Sequence, residues 1–212
     1  MTPAPPGTGR RARALLRRWR ALAALAVLLL GVGALWPLPD ELAHPRREGS
    51  LRLLDRNGRL LREVPSSRNG VSRWLSLDEV PGIVLDATLL AEDRRFWYHP
   101  GVDPVAVLRS AWVNLRAGRI RMGGSTLTQQ LVRNLRPRTS SGLAAKAREA
   151  WDAVRMELRF SKREILEAWL NRVPYGRGTY GLEAASWRYF EKPASRLSAA
   201  EAATLAVLPR AP

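Results

Sequence analysis

Gly123-Gly124-Ser125-Thr126-Leu127-Thr128-Gln129-Gln130-Leu131 brings two glycines, three hydroxyls and two carboxamides into nine residues, directly ahead of an apolar repeat at helical spacing, Leu127, Leu131 and Leu135. Thr126 and Gln129 stand at capping-box spacing, so a helix begins just after Thr126, and Pro137 stops it. The segment can hydrogen-bond densely to a ligand while its helix stays anchored in a core. A polar turn feeding a helix N-terminus is also a natural place to hold an anion.

Outward from this stretch the pattern remains helical. Val80, Ile83, Val84 and Leu90 predict a helix from about Asp78 to near Glu92. Asp103-Pro104 supplies a cap and a first-turn proline, and Leu108, Trp112 and Leu115 follow at helical spacing until Gly118. Leu143, Ala147, Ala150, Val154 and Leu158 form a long stripe. Ser161 with Glu164 opens a helix through Ile165, Leu166, Trp169 and Leu170, and Ser198 with Glu201 caps a last one that ends at Pro209. Residues 175–180 read as a glycine-rich loop. Ahead of the helices, Leu51, Leu53 and Leu54 precede Asn57-Gly58, and Leu60 and Leu61 follow; Asn-Gly between apolar runs predicts a hairpin over residues 51–64. A second turn signal, Asn69-Gly70, leads to Trp74 and Leu75. The fold class is mainly α with a small N-terminal β-hairpin.

The chain has 212 residues, 46% of them hydrophobic, enough for one sizeable domain and a short appendage. With no Cys it can form neither disulfides nor thiolate zinc sites, and it has no thiol nucleophile. The net charge of +16, carried almost wholly by Arg, favours polyanionic partners: nucleic acid, an acidic membrane face or phosphates. Arg10, Arg11, Arg13, Arg17, Arg18 and Arg20 crowd the start, and no acid precedes Asp40. Residues 21–38 are uncharged and approach the ~20 residues that cross a bilayer as a helix. Trp19 and Trp36 bracket the run as interfacial aromatics do, and the Arg cluster would stay cytoplasmic. One transmembrane signal-anchor is therefore expected, with a cleaved signal peptide near Gly31 and Gly33 as the competing reading. A nucleic-acid tail would explain the Arg residues but not the apolar run behind them. The expected division is a basic tail at 1–20, the anchor at 21–38, a linker at 39–50 and the catalytic domain at 51–212.

Several residues could carry chemistry. Glu92 closes its helix on the face of Leu85 and Leu89, half-buried, where desolvation suits a carboxyl to acid–base work. It could equally pair with Arg94 or Arg95. Lys146 and Glu149, three apart on one helix, make either a surface pair or a carboxylate with a neighbouring cation facing a cleft. Two carboxylates in one cleft are the minimal equipment for chemistry at a sugar's anomeric carbon. Arg119, Arg121 and Arg133 are the basic residues near the Gly-Gly-Ser-Thr turn, and an Arg fork suits phosphate. His99 stands alone in the helical region, which argues against a His-based metal site, and a structural role is the simpler reading. No Ser-x-x-Lys pattern marks an acyl-serine site.

Taken in order, these pieces resemble the peptidoglycan glycosyltransferases of glycosyltransferase family 51, the N-terminal part of class A penicillin-binding proteins. Glu92-Asp93-Arg94-Arg95-Phe96-Trp97-Tyr98-His99-Pro100-Gly101-Val102-Asp103 is similar to the first motif, and the opening stretch to the second. Lys146-Ala147-Arg148-Glu149 matches the third, Ser161 to Asn171 the fourth, and Gly181 to Ala185 with Tyr189-Phe190 and Leu197 to Glu201 the fifth. The Ala184-Ala185-Ser186-Trp187 run is most like the type C proteins, which normally continue into a transpeptidase domain; either a fragment or a short protein is expected here.

The resemblance implies a lysozyme-like, two-lobed helical domain at a bacterial inner membrane, single-pass, with its catalytic domain on the outer side. It implies lipid II and the growing glycan strand as substrates, the lipid bilayer and cell-wall synthesis proteins as partners, and no nucleic acid. It assigns Glu92 as general base and Glu149 as the group assisting departure of undecaprenyl pyrophosphate, with inversion. Asp93, Phe96, His99, Ser125, Thr126, Gln129, Gln130, Arg133 and Lys146 would bind substrate. No cofactor is required by sequence and no protein metal site is expected; a divalent cation, Mg or Mn, bridging the pyrophosphate is the one addition implied. Arg133 stands where the family usually has Lys, and Ala145 where it usually has Arg. The competing functions are a lytic transglycosylase or muramidase, and a non-catalytic scaffold that binds lipid II.

Overall fold

The computed structural model describes residues 19–20, 31–45, 50–64, 71–119, 121–136 and 142–210. The chain divides into two units, 1–37 and 38–212. In the first, residues 31–35 are helical. Among the described residues no helix is long and apolar enough to cross a membrane. Residues 21–30 of the expected anchor, and the Arg cluster before Trp19, lie outside the described residues, as does the Asn69-Gly70 turn signal.

The second unit is mainly helical. After a short helix α1 (Asp40–Ala43), strands β1 (Leu51–Leu54) and β2 (Leu60–Val64) form the expected antiparallel hairpin, Leu51 opposite Val64. Asp55 Oδ1 accepts the backbone N–H groups of Asn57 and Arg59, which closes its turn. β3 (Val71–Ser72) pairs in parallel with β4 (Thr179–Tyr180), a long-range contact no local pattern announces.

The helices are α2 (Gly82–Glu92), α3 (Pro104–Ala117), α4 (Leu127–Leu135), α5 (Leu143–Glu157), α6 (Lys162–Arg172), α7 (Leu182–Phe190) and α8 (Ala199–Val207). The predicted caps form. Asp103 accepts from Val105 N at the start of α3, and Thr126, Ser161 and Ser198 close capping boxes at α4, α6 and α8. Such caps are each worth ~1 kcal/mol. The segment before α2 differs from expectation: residues 77–79 form a separate 3-10 turn with a capping box of its own from Ser76 and Glu79, and Pro81 precedes the α-helix. A proline there bars one continuous helix from Asp78.

The core sits around α4, which packs against α5 and α6; α2 lies along α8. Leu127, Leu131, Leu166, Trp169 and Leu170 are buried in it, with Phe96. The stripe predicted on α5 is only partly inward: Leu143 and Leu158 are 90% and 60% exposed, while Asp152, Ala153, Arg155 and Met156 are buried. The inward face of α5 is polar because Asp152 pairs with Arg155 at 3.1 Å and Arg136 at 2.6 Å.

Candidate active site

Two close approaches shape the site. Gly101 has φ +93, and a Cβ there would lie 2.7 Å from the backbone of Ala153. Only glycine lets the loop after Tyr98 rest on α5. Gly124 sits against α3, where a Cβ would meet Ala106 O at 3.1 Å and Ser110 Oγ at 2.9 Å. The two contacts bring the loop of residues 93–103 and the Gly-Gly-Ser-Thr turn together. Thr126 Oγ1 then donates to Gly101 O at 2.6 Å, and Asp93 Oδ2 accepts Leu127 N–H at 3.0 Å. An acid at a helix N-terminus is further favoured by the helix dipole.

The cleft between these elements has a volume of about 810 Å³. Glu92, Asp93, Ser125, Thr126 and Gln130 line it, together with Arg94, Arg95, Arg109 and Arg121. Glu92 is half-buried, as its helical position requires. Gln130 Nε2 donates to Glu92 Oε2 at 2.9 Å, and Gln130 Oε1 accepts the Trp169 indole N–H at 3.3 Å. An indole can only donate, so it holds the carboxamide oxygen and turns the NH₂ toward Glu92. Arg95 lies 3.4 Å from Asp103, and Arg94 Nε donates to Leu90 O at 3.4 Å.

Glu149 is reached from this cleft through a chain of contacts rather than by lining it. Lys146 Nζ donates to Ser125 Oγ and to Glu149 Oε1, each at 2.7 Å. Arg133 Nη1 stands 3.6 Å from the same carboxylate oxygen. The second and third motifs therefore meet at Lys146, and Glu149 gathers two cations from α4 and α5. Burial first, and the nearby Glu92 charge second, push the Tyr175 hydroxyl above the ordinary phenol range, so it remains a neutral hydroxyl beside the site.

Some residues expected to bind substrate are placed in the scaffold. Phe96 is 0% exposed, with Lys162 Nζ 4.4 Å from its ring centre. His99 is buried, its Nε2 3.0 Å from Asp93 Oδ2. Gln129 is buried too, and its Oε1 accepts Thr126 N–H within the capping box. Asp93 reaches the cleft, yet its carboxylate also serves His99 and Leu127 N. Motif one thus does two jobs: Glu92 faces the cleft, while Asp93, Phe96 and His99 anchor the turn. The fourth motif is likewise structural. Asn171 bonds both N and O of Leu75, and Glu167 accepts from Trp74 Nε1 and Leu77 N.

Sequence reading missed Arg109 and Trp169 as site residues. Arg109 lies three residues after Ala106, on the α3 face that meets Gly124, so helical spacing from Asp103-Pro104 carried the signal. Trp169 read as core from its apolar repeat, which it is, and nothing local to it showed where its N–H points. Among the described residues no three His, Asp or Glu side chains converge as a metal cage.

A family model described as Transglycosylase matches residues 57–212. The chain belongs to the transglycosylase family. This transglycosylase is 42% identical over 199 residues to penicillin-binding protein 1C of Escherichia coli (strain K12), covering 92% of this chain and 25% of that protein. It is 42% identical over 190 residues to penicillin-binding protein 1A of Aquifex aeolicus (strain VF5), covering 89% and 26%. It is 37% identical over 163 residues to penicillin-binding protein 1F of Bacillus subtilis (strain 168), covering 77% and 22%. The transglycosylase chain spans about a quarter of the length of these relatives.

Proposed function

We propose that this chain is a membrane-anchored peptidoglycan glycosyltransferase that polymerises lipid II into glycan strands and releases undecaprenyl pyrophosphate. The observation that carries the reading is Glu92 on the wall of an Arg-lined cleft, held by Gln130 at 2.9 Å, with Ser125, Lys146 and Glu149 linked in series from the same cleft.

Glu92 takes the proton from the acceptor sugar's 4-hydroxyl. That oxygen's electron pair forms the new bond to the donor's anomeric carbon, on the side opposite the pyrophosphate. The anomeric C–O bond breaks, its electron pair leaves on the lipid pyrophosphate, and the configuration inverts. Lys146 and Arg133, brought together by Glu149, meet the negative charge that builds on the leaving group. Such charges act strongly because they are already in place when the transition state forms. Engaged by two cations, Glu149 serves to concentrate positive charge rather than to protonate a glycosidic oxygen, which favours transfer from a pyrophosphate over cleavage of a finished glycan.

A lipid-borne substrate has support from α3. Val105, Leu108, Trp112 and Leu115 recur at helical spacing and are all exposed, next to the Ala106 and Arg109 face that borders the cleft. An exposed apolar stripe flanked by Arg suits a membrane surface. The apolar run at 21–38 behind six Arg residues supports single-pass anchoring in a bacterial inner membrane, catalytic domain outward. A two-lobed, lysozyme-like arrangement belongs to the same reading.

The test is incubation of the protein with labelled lipid II, beside Glu92→Gln and beside preformed glycan. Polymer from wild type that is lost in Glu92→Gln is expected. Digestion of glycan without polymer would replace this reading with a muramidase, and inactivity of wild type toward both with a lipid II-binding scaffold.

A further inference from the structure

A second cavity, of about 410 Å³, lies between the β-hairpin and α7. Glu63, Arg73, Arg177, Arg188, Trp187 and Tyr189 line it. Glu63 is the acid in this wall, and it is neutralised by Arg73, whose Nη2 donates to Glu63 Oε2 at 2.8 Å. Arg73 also sits 5.4 Å from the centre of the Trp187 ring. The side chains of Arg177 and Arg188 are exposed and have no hydrogen bond or ion pair among the described residues. The cavity thus presents two uncommitted guanidiniums beside two partly open aromatic rings.

Arg177 carries a second, independent signal. Thr179 N–H donates to Gly176 O across a tight turn whose central residues, Arg177 and Gly178, have φ +49 and +70. A turn with both central residues at positive φ strongly prefers Asn or Gly at its first position. Arg177 accepts that backbone cost with no side-chain hydrogen bond or ion pair among the described residues. Residues held in sparsely populated backbone regions cluster at active and ligand sites.

The cavity also adjoins the cleft. Tyr189 Oη donates to Tyr175 O at 2.6 Å, and the Tyr175 hydroxyl lies close enough to feel the charge of Glu92. Tyr175 therefore links this cavity to the neighbourhood of Glu92. A guanidinium pair takes a carboxylate in bidentate fashion, and open aromatic rings take the apolar face of a sugar.

We propose that this cavity is a subsite for a carboxylate-bearing glycopeptide, the chemistry of the strand made in the neighbouring cleft, with Arg177 and Arg188 on the carboxylate and Trp187 and Tyr189 on the saccharide. The proposal rests on the polymerase reading for its ligand but not for its geometry.

The test is titration calorimetry of the whole chain with three probes: a lipid-free tetrasaccharide of N-acetylglucosamine and peptide-bearing N-acetylmuramic acid, chitotetraose, and inorganic phosphate. The glycopeptide should bind, and chitotetraose and phosphate should each bind about tenfold more weakly, since chitotetraose lacks the charge-assisted contacts and phosphate lacks the sugar face for the aromatic rings. Arg177→Gly and Arg188→Gln should each weaken glycopeptide binding about fivefold, and Arg177→Gly should keep or raise the Tm because it relieves the turn. Unchanged affinity in both variants, no glycopeptide binding, or phosphate bound as tightly as glycopeptide overturns the proposal. Polymerisation separates the two claims. If wild type polymerises lipid II and the Arg variants bind glycopeptide normally, the subsite fails and the polymerase reading stands. If wild type makes no polymer while Arg-dependent binding persists, the reverse holds.

Discussion

Trp169 donates its indole N–H to Gln130 Oε1 at 3.3 Å, and this bond decides which end of the Gln130 carboxamide faces Glu92. With the oxygen held by a group that can only donate, the NH₂ is directed at Glu92 Oε2 and keeps that carboxylate in one position. Trp169→Phe removes the constraint and lets the amide turn over. Because a misplaced base loses part of its 10²–10⁴-fold contribution, kcat should fall about tenfold with KM within a factor of two. Steady-state kinetics on lipid II checks this; a change confined to KM contradicts it.

Lys146 bridges Ser125 and Glu149 at 2.7 Å on each side. Lys146→Met keeps the aliphatic stem but removes the charge that the proposed mechanism sets against the leaving group. Removing one preorganised donor of this sort costs about 10²–10³ in kcat, and that is the expected loss here. The measurement is single-turnover transfer, with circular dichroism to verify the fold.

Phe96 is 0% exposed and packs edge-on to Trp97 at 5.1 Å between ring centres. If its role is structural, Phe96→Ala destabilises by about 3–5 kcal/mol. Denaturant unfolding should show this as a lower midpoint. A variant with unaltered stability and raised KM would restore the substrate-binding role.

Glu201 has its carboxyl held down to about 2, first by the hydrogen bond from Lys192 and then by bonds from Ser198. A depressed folded-state pKa contributes stability that is present above the ordinary value of 4.5 and is lost as pH falls through about 2. Comparing Tm between pH 6 and pH 2, wild type should lose more than Glu201→Gln across that window.

Much of this was legible in the sequence, for reasons that can be named. Capping boxes at Thr126, Ser161 and Ser198, the Asp103-Pro104 start and the Asn57-Gly58 turn are local codes, and each formed where its spacing placed it. Glu92 was legible because a helix end on the face of Leu85 and Leu89 must be half-buried. The features that stayed hidden are non-local. The β3–β4 pairing joins residues more than a hundred positions apart, and Trp169's partner is fixed only when α4 meets α6. Phe96 and His99 matched a motif that contains both site and scaffold, and a motif does not say which side chains face inward. Leu143 and Leu158 misled because apolar spacing alone ignored Asp152 and Arg155, which take the inward face as a pair.

The most direct measurement is the rate of glycan polymer formation from lipid II by Glu92→Gln beside wild type, both at matched Tm. Gln retains size and the ability to meet Gln130, and removes only the carboxylate proposed as the base. Loss of a general base predicts a fall in kcat of about 10²–10⁴ with lipid II binding retained. A variant within a factor of about two of wild type, too small for any lost base, would show that Glu92 does not take the proton and would contradict the proposed mechanism.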